Sequence, residues 1–387
     1  MLEFPKMLHR LSRIAALMIA AEALACAATG RQVDCDKESL PAAVAASTPG
    51  DTLFVAGICR EPITITLDRL TLDGGRMATF DGETPGGKPF PPGGASNAMI
   101  VVEGARGVII RGFTITDSPG GGIIGRGNSS FSVERVVIRR GLFGLVVQDS
   151  SHAEIAYSEI SSNTDAGIGV ADTSSVLFRG SIDIKDNLEG ISAGGRCDIG
   201  VQSAQLNVSA NRTNGISLSG CSLGIRNFGA QSSIIVNGNG ADGLFLGGGQ
   251  LVIGESFFFG FAGEIFHTIV AMNNKGSGIN LPGFASIVNL GGAKFDLRNN
   301  TTGLNLGSDS SILMIGGLRA EFNATGILAD GAGTLTLAST PRNPSVIRNN
   351  ITDVDLRFGT RATVNGAGIG RVTCDGTSLI RGSLKCP

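Results

Sequence analysis

The stretch Asn163-Thr164-Asp165-Ala166-Gly167-Ile168-Gly169-Val170 sets the pattern of this chain: an asparagine, a short gap, then glycine, an aliphatic residue and alternating hydrophobic positions. Later copies of the same pattern run from Asn187 to Ile191, Asn211 to Leu218, Asn239 to Leu246, Asn274 to Leu281, Asn299 to Leu306 and Asn323 to Ile327. The first two steps, 187 − 163 and 211 − 187, are both 24 residues. A fixed period of roughly 20–50 residues indicates a stacked solenoid, in which one repeat cannot bury its apolar face alone.

Each repeat contains three short runs that alternate between apolar and polar residues. One repeat reads Ala153-Glu154-Ile155, then Ser158-Glu159-Ile160, then Gly167-Ile168-Gly169-Val170. These runs are too short for helices, and their period of two is that of β-strands. We therefore predict an all-β solenoid with Ile, Val, Leu and Phe stacked inward. The recurring Asn is expected to hydrogen-bond from coil to coil, and Gly, Asn and Asp at the corners to supply positive φ angles.

A helix-prone run, Glu38 to Ala46, precedes the repeats and carries Pro41 in its first turn, where proline is tolerated. With the strand-like segment Pro49 to Val55 and the repeats that follow, it resembles the capping helix and first strand of right-handed parallel β-helix proteins, the pectate-lyase-like superfamily. We expect a short N-terminal capping helix and about three strands per coil of about 24 residues. The predicted division is a signal peptide (1–25), an N-terminal cap (34–48), a parallel β-helix (49–370) and a C-terminal disulfide cap (371–387).

The resemblance is specific for fold and says little about activity. The superfamily includes lyases, hydrolases, epimerases, esterases, phage tailspikes and adhesins, and fold alone does not choose among them. Its polysaccharide lyases use carboxylate-bound Ca²⁺ and an Arg or Lys base. Asn163-Thr164-Asp165 matches one short motif of the polygalacturonases. Their paired-Asp, Gly-His-Gly and Arg-x-Lys motifs are all missing, so we interpret this single match as chance.

The first 25 residues have the features of an export signal. Lys6, Arg10 and Arg13 precede an apolar run from Ile14 to Ala25, which is too short to span a bilayer. Ala23-Leu24-Ala25 has the small-x-small form that a signal peptidase accepts. Cys26 follows directly and leaves a lipid anchor as the alternative, although Ala23 stands where a lipid-attachment motif usually has Leu. We predict a secreted or periplasmic protein.

The cysteines fit an oxidising compartment. The chain has seven, of which six follow Cys26. Cys35 with Cys59 and Cys197 with Cys221 are each one repeat apart, since 59 − 35 and 221 − 197 both equal 24. Neighbouring coils lie about 5 Å apart, within disulfide reach, and Cys374 with Cys386 would close the C-terminus. Zinc is the competing interpretation, but no CxxC or HxxxH spacing accompanies these cysteines.

Composition limits the partners. The formal net charge is −2 and no basic block stands out, so the sequence does not predict nucleic-acid binding, and no later segment is apolar enough to cross a membrane. The chain has no Trp and a single Tyr. Tight binding of neutral glycans usually uses aromatic faces, so this composition disfavours it, whereas polyanionic glycans can be held by Arg and Lys. We expect a monomer.

The strand before the Asn corner carries the candidate site. Aligning the corners places Glu159, Asp183 and Asn207 in one outward row and Ser161, Lys185 and Ser209 in the next, with Arg139 beside Ser161. A carboxylate pair about 5 Å apart can bind Ca²⁺ or divide acid and base roles. We therefore predict Glu159 and Asp183 as metal ligands and Lys185 or Arg139 as the base. The alternative is a solvated face whose charges pair across coils.

A second outward row, on the Gly-Ile-x-Val strand, is predicted to carry no chemistry because it holds no ionisable group. Its members are Val146, Gly169, Ser192, Ser217, Phe245, Asn280, Asn305 and Leu328. Two segments break the period: a Pro- and Gly-rich loop at 82–97 and a Phe-rich insertion at 256–267. We predict that the insertion folds over the stack as a satellite core; the alternative is that it forms a wall of a binding groove.

The leading functional hypothesis is binding or modification of an extracellular, uronate-containing polysaccharide, with Ca²⁺ as the candidate cofactor. The alternative is a non-enzymatic surface adhesin or structural protein that uses its long β faces. The sequence leaves open whether the protein is an enzyme.

Overall fold

The computed structural model describes residues 30–83, 97–225, 230–253, 267–289, 293–341 and 343–386. The predicted signal peptide, Cys26, most of the loop at 82–97 and all but the last residue of the Phe-rich insertion lie outside the described residues. The predicted N-terminal helix is present as α1 (Leu40–Ala45), preceded by the cap residue Ser39, whose hydroxyl accepts a hydrogen bond from the amide of Ala42. In the described part of the chain, no helix has the length and apolar character needed to cross a bilayer.

The remaining elements are short β-strands. The first half holds β1 (Gly30–Asp34), β2 (Thr52–Ala56), β3 (Ile58–Cys59), β4 (Ile63–Ile65), β5 (Thr71–Asp81), β6 (Ile100–Glu103), β7 (Arg106–Thr116), β8 (Gly121–Arg126), β9 (Ser130–Glu134), β10 (Val137–Arg139), β11 (Phe143–Val147), β12 (His152–Ser161), β13 (Ala166–Asp172), β14 (Ser175–Lys185), β15 (Glu189–Gly195), β16 (Asp198–Ser209), β17 (Ile216–Ser219) and β18 (Ser222–Ile225). The second half holds β19 (Ser233–Asn237), β20 (Leu244–Gly247), β21 (Gln250–Ile253), β22 (His267–Met272), β23 (Ser277–Gly283), β24 (Ser286–Asn289), β25 (Ala293–Arg298), β26 (Thr302–Ser308), β27 (Ser311–Ile315), β28 (Leu318–Glu321), β29 (Thr325–Ala329), β30 (Thr334–Ala338), β31 (Val346–Arg348), β32 (Thr352–Leu356), β33 (Arg361–Asn365), β34 (Gly368–Ile369), β35 (Val372–Cys374) and β36 (Leu379–Gly382).

The strands wind into a parallel β-helix with three faces. In one coil, residues 152–156 of β12 belong to the first face, residues 158–161 of β12 to the second face, and β13 to the third face. The third-face strands of the described chain pair in sequence from β4 to β35, one strand per coil, which gives about thirteen coils. All strand pairs that stack the coils are parallel, so every coil repeats the course of the one before it.

The core is a set of vertical stacks of aliphatic and aromatic side chains. One inward row, formed by register partners that are each 3% exposed or less, contains Ile110, Val133, Ile155, Phe178, Val201, Ile225 and Ile253. Burying a side chain of this size contributes about 1.5–3 kcal/mol. The predicted inward stacking is confirmed.

The recurring asparagines form the predicted ladder. Each side-chain Nδ2 donates to the Oδ1 of the next asparagine, at 2.9 Å from Asn163 to Asn187 and 3.0 Å from Asn211 to Asn239. The row comprises Asn163, Asn187, Asn211, Asn239, Asn274, Asn300, Asn323 and Asn350. The prediction was wrong at one position, because the ladder uses Asn300. Its neighbour Asn299 is exposed at the corner with a φ of 56°.

The recurring glycines of the motif serve close packing, whereas the predicted positive φ angles occur at corner Gly, Asn and Asp residues. In the copies of the motif from Gly144 to Gly326, the glycine has no positive φ. A Cβ at Gly190 would lie 2.3 Å from the carbonyl oxygen of Gly215 in the next coil. Positive φ falls instead on the true corner residues, among them Asp186 and Asn273, as well as on other glycines.

The three predicted disulfides are present. Cys35–Cys59 and Cys197–Cys221 join neighbouring coils with Cα–Cα distances of 5.0 and 4.7 Å, and Cys374–Cys386 closes the C-terminal segment at 5.8 Å. The zinc interpretation is thereby excluded for these six cysteines.

His267 is the one fully buried histidine among the described residues, and the fold keeps it neutral. Its Nδ1 accepts a hydrogen bond from the amide of Ser232 at 3.1 Å, and its Nε2 is buried with no partner in the described residues. Burial lowers the pKa of this imidazole below its usual value.

We predict that this histidine makes the fold sensitive to mild acid. Above the unfolded pKa of about 6.5 both states are neutral; below it the unfolded state binds a proton that the folded state resists, so the free energy of unfolding falls as pH falls. The slope contributed is at most about 1.4 kcal/mol per pH unit. Guanidinium chloride unfolding between pH 7 and 5 measures it, with His267→Ser as the comparison, since Ser232 holds the equivalent place one coil earlier. Equal pH slopes in the two proteins would contradict the prediction.

Candidate functional site

The predicted rows of the second face are confirmed by strand register. Glu159 is the register partner of Asp183, and Asp183 that of Asn207. In the adjacent row, Arg139 pairs with Ser161 and Ser161 with Lys185. The four predicted site residues therefore lie within three successive coils of one face, although strand register does not test the roles assigned to them.

Short polar contacts tie three of these four residues into the face. The Lys185 ammonium lies 3.2 Å from Oε1 of Glu159, and the Ser161 hydroxyl donates to the same oxygen at 3.0 Å. Asn207 donates to Asp183 at 2.8 Å. Arg139 is exposed and makes no ion pair within the described residues, although its charge acts on the nearby Asp117. The half-exposed Glu159–Lys185 pair contributes less than about 1 kcal/mol to stability, as the solvated-face alternative expects.

The third-face row is also confirmed by register, from Val146 through Gly169 and onward to Leu328. One coil farther, the register partner of Leu328 is Asp355, which forms an ion pair with Arg357. The described row therefore gains an ionisable group only at its C-terminal end, and that group is already neutralised.

A cleft of about 440 Å³ lies along the corner between the first and second faces. Its polar lining includes Glu159 and Asp183 together with Arg76, Arg135 and Tyr157. The lining does not include Lys185 or Arg139, which lie on the far side of the carboxylate row. The carboxylate pair is therefore shared between the predicted cation row and a cleft that the sequence analysis did not predict.

The cleft is built on a corner where successive coils place a residue in the left-handed region. The φ angles are positive at Arg76, Gly112, Arg135, Tyr157, Gly180 and Ser203. For non-glycine residues this conformation costs about 1–2 kcal/mol each. It turns the side chains of Arg76, Arg135 and Tyr157 outward at the corner, and Gly112, between Arg76 and Arg135, places no side chain there.

Tyr157 packs against residues of both neighbouring coils at this corner. Its ring packs on Gly180, where a Cβ would lie 2.4 Å from the ring, and the Arg135 guanidinium lies 5.4 Å from the ring centroid. The residue is nevertheless 58% exposed, so the edge of the phenol faces the solvent in the cleft. An amphipathic ring of this kind suits recognition of a polar ligand.

Arg76 supplies an uncommitted cation. It is exposed, it lines the cleft, and it forms no ion pair or side-chain hydrogen bond with the described residues. Arg135 is only loosely engaged, at 3.8 Å from Glu134. The corner therefore presents two guanidinium groups whose hydrogen-bonding edges are available to a carboxylate or sulfate.

The donor set for a metal ion is small. Among the described residues, no three His, Cys, Asp or Glu side chains come together in a way that would hold a metal. Glu159, Asp183 and the Ser161 hydroxyl offer oxygen ligands, whereas Ca²⁺ takes six to eight. These residues fit a Ca²⁺ ion whose remaining ligands come from water and an anionic ligand, rather than an ion caged by protein alone.

Sequence reasoning missed Arg76, Arg135 and Tyr157. The repeats were aligned on the Asn corner, so the residues at the corner between the first and second faces were not compared from coil to coil. A signal was present, since Arg135 and Tyr157 each stand between two alternating runs, 157 − 135 = 22 residues apart. Aligning that corner as well would have placed both side chains in one row.

Comparisons with known proteins agree with this architecture. A family model described as the right-handed β-helix region matches residues 94–241. The match covers about two fifths of the chain, and the described strands continue the same parallel β-helix on both sides of it.

Solved structures with a similar backbone fold include pectate lyase Pel9A, at 14% identity and a TM-score of 0.41. The alignment covers 88% of this chain and 78% of that one. The catalytic unit of a thermostable GH87 α-1,3-glucanase from Streptomyces thermodiastaticus strain HF3-3 has 14% identity and a TM-score of 0.40, covering 93% and 69%. An alginate lyase from Paenibacillus sp. str. FPU-7 has 14% identity and a TM-score of 0.38, covering 91% and 99%. No curated protein matches the chain. Similarities at this level carry no activity over to the chain.

Proposed function

We propose that this protein binds an acidic, uronate-containing polysaccharide in the cleft at the corner between the first and second faces. The observation that carries the proposal is the meeting of two available guanidinium groups, a phenol and a carboxylate pair in one open cleft. The three disulfides support this proposal, because disulfides persist in oxidising compartments and a secreted or periplasmic protein would meet such polymers outside the cytoplasm.

The charge and shape of each side chain in the cleft suggest the part of the polysaccharide that it would bind. Arg76 and Arg135 stand two coils apart along the corner, about 10 Å, and would each take a carboxylate in bidentate geometry. The phenol edge of Tyr157 would hydrogen-bond a ring hydroxyl. Glu159 and Asp183 would accept bonds from hydroxyls and repel misplaced carboxylates, which sets the register of the polymer in the cleft.

The same proposal includes a role for Ca²⁺ in binding the polysaccharide. Glu159 and Asp183 would hold the ion, and its charge would attract a uronate carboxylate to the carboxylate row. Because Lys185 is the present counter-charge of Glu159 at 3.2 Å, calcium binding and the Glu159–Lys185 ion pair would compete.

A lyase reaction is the second candidate, favoured by the position of Arg139 and Lys185 on either side of Ser161, directly beside the carboxylate row. In a β-elimination, Lys185 or Arg139 would remove the proton at C5 of the uronate. The electron pair would form the C4–C5 double bond, and the C4–O bond would break with a proton from water going to the leaving oxygen. A Lys185 base has to leave Glu159 and lose its proton first, so the geometry supports binding more directly than turnover.

The chain offers its own binding reporter, because it contains one Tyr and no Trp. We predict that oligogalacturonate quenches or shifts the Tyr157 fluorescence, and that Arg76→Gln weakens this binding by about tenfold, the loss of one charge-assisted bidentate contact. Arg357→Gln is the matched control, since that arginine is half exposed, lies on the third face and is ion-paired with Asp355. Fluorescence titration gives both affinities.

Four outcomes distinguish the cleft proposal, the lyase reaction and the adhesin alternative. Binding that Arg76→Gln and Arg357→Gln weaken equally, or no binding to any polyuronate, would overturn the cleft proposal. Release of unsaturated sugars, seen as ultraviolet absorbance and abolished in Lys185→Ala or Arg139→Ala, would establish the lyase reaction. Binding without such release in the presence of Ca²⁺ would identify a non-enzymatic glycan-binding protein, the adhesin alternative.

A further inference from the structure

Six coils beyond Tyr157, the second face carries a clamp, in which two arginines bind one buried carboxylate. Glu321 occupies an outward position of β28, yet it is only 1% exposed. The Nε atoms of Arg319 and Arg348 both donate to it, the latter at 3.0 Å. Burial alone raises the pKa of Glu321, but these two bonds outweigh it, so the pKa lies below its usual value and the carboxylate stays ionised.

The two arginines and the one carboxylate of the clamp together carry a net charge of +1. The clamp also fixes the orientation of both guanidinium groups. Each arginine uses its Nε on Glu321, and the side chains of Arg319 and Arg348 remain 49% and 64% exposed. An arginine whose orientation is already fixed loses less conformational freedom when it binds a carboxylate. Glu321 is therefore a positioning residue for two anion-binding groups.

An exposed aromatic ring lies directly next to this clamp. Phe322 follows Glu321, is 54% exposed and has a φ of 59°. The same corner of the neighbouring coils holds Asn299 and Asn349, residues that tolerate the left-handed region well. A bulky aromatic residue at this corner is both strained and solvent-exposed, and its place beside the two arginines makes its ring available to the same ligand.

We propose that Phe322, Arg319 and Arg348 form a second sugar-binding station, in which the ring stacks on a pyranose face and the arginines take its carboxylate. The inference rests on the proposed binding of an acidic polysaccharide and adds that the ligand is a long chain spanning both stations. The cleft at Tyr157 alone would be served by a short oligomer.

The spacing sets the minimum length of the ligand. From β12 to β28 the second face advances by six strand pairings, about 29 Å at about 4.8 Å per coil. Tyr157 and Phe322 also lie at opposite edges of the second face, five residue positions or about 16 Å apart, so the direct distance between them is about 33 Å. An extended 1,4-linked pyranose chain that advances per sugar by about the spacing of one coil needs about eight sugars to span this distance. Binding at two linked stations raises affinity steeply once the ligand is long enough.

The test compares a galacturonate tetramer, which is too short, with a dodecamer, which is long enough. Phe322→Asn and Arg319→Gln should each weaken dodecamer binding by tenfold or more. Both variants should leave the tetramer affinity reported by Tyr157 fluorescence within about twofold. Phe284→Asn is the matched control, since Phe284 is also exposed and left-handed but lies at the corner after the third face.

Stability separates a binding role from a structural one. Phe322→Asn restores the residue type of the neighbouring corners, so its unfolding midpoint should equal or exceed that of the parent protein. Dodecamer affinity unchanged in Phe322→Asn and Arg319→Gln, while Arg76→Gln still weakens the tetramer, would overturn the second station and leave the cleft proposal standing. Equal effects of Phe284→Asn and Phe322→Asn would also overturn it. If the tetramer does not bind the parent protein, the cleft proposal is wrong, whatever the outcome for the second station.

Discussion

Replacing Asn300 with Ala is expected to lower the free energy of unfolding by about 3 kcal/mol, whereas the same change at the adjacent Asn299 should cost about 1 kcal/mol or less. Asn300 accepts bonds from the amide and the Nδ2 of Asn274, both at 3.0 Å, and donates to the carbonyl of Ala271 at 2.9 Å. All of these groups are buried, so their loss leaves unsatisfied donors and acceptors at about 1–3 kcal/mol each. Asn299 has an exposed side chain with no hydrogen bond in the described residues.

The midpoint of guanidinium chloride unfolding measures both changes. Asn299→Ala controls for the loss of an amide at this corner and for the left-handed backbone. If Asn300→Ala unfolds at the same denaturant concentration as Asn299→Ala, the ladder contributes nothing beyond corner geometry, and the hydrogen-bond argument fails.

Gly190→Ala is expected to destabilise the protein by about 3 kcal/mol or more. The added Cβ would lie 2.3 Å from the carbonyl oxygen of Gly215, 2.3 Å from Cγ1 of Val208 and 2.9 Å from Nδ2 of Asn211. The first of these contacts is with backbone that cannot move without separating two coils. The change therefore acts on coil stacking and on the asparagine ladder together.

Gly194→Ala provides the control within the same strand, β15. A Cβ at Gly194 meets nothing within 4 Å, and its backbone is not left-handed. Removing a glycine from a compatible position stabilises by about 0.4–1 kcal/mol because the unfolded chain has less freedom to lose. Chemical unfolding of the two variants should therefore give shifts of opposite sign. A destabilisation of Gly194→Ala as large as that of Gly190→Ala would show that strand propensity, not coil contact, explains the recurring glycine.

The fold could be predicted from the sequence because the period places chemically identical residues at the same point of each coil. Asn163, Asn187 and Asn211 repeat at equal steps, and side chains stacked one coil apart must then be neighbours. The same arithmetic predicted two disulfides. It gave the wrong ladder residue at 299–300 because two adjacent asparagines fit the pattern, and only burial distinguishes them.

The candidate site was predicted only in part. The rows containing Glu159 and Asp183 follow from counting along alternating strands. The cleft does not, because it depends on which way a corner residue turns its side chain, and that is set by a positive φ at Arg135 and Tyr157. The 22-residue spacing aligns Arg135 with Tyr157, but neither residue type is typical of a left-handed corner, so the direction of their side chains has no signal in the sequence. The clamp on Glu321 was missed since a carboxylate at an outward strand position is normally exposed.

The hydrogen bonds of the asparagine ladder all point the same way along the stack of coils. This common direction determines how a β-helix of this kind can gain or lose coils. Every link donates from one coil to the next, and the last, Asn350, donates to the carboxylate of Asp353, whose negative charge ends the row of aligned amide dipoles. Because the intermediate links are equivalent, duplication or loss of a whole coil between Tyr157 and Phe322 would leave both ends of the row intact. Gene-level gain or loss of one coil would then alter the preferred chain length of the ligand by about one sugar, so selectivity in this architecture can evolve in discrete steps without new side chains.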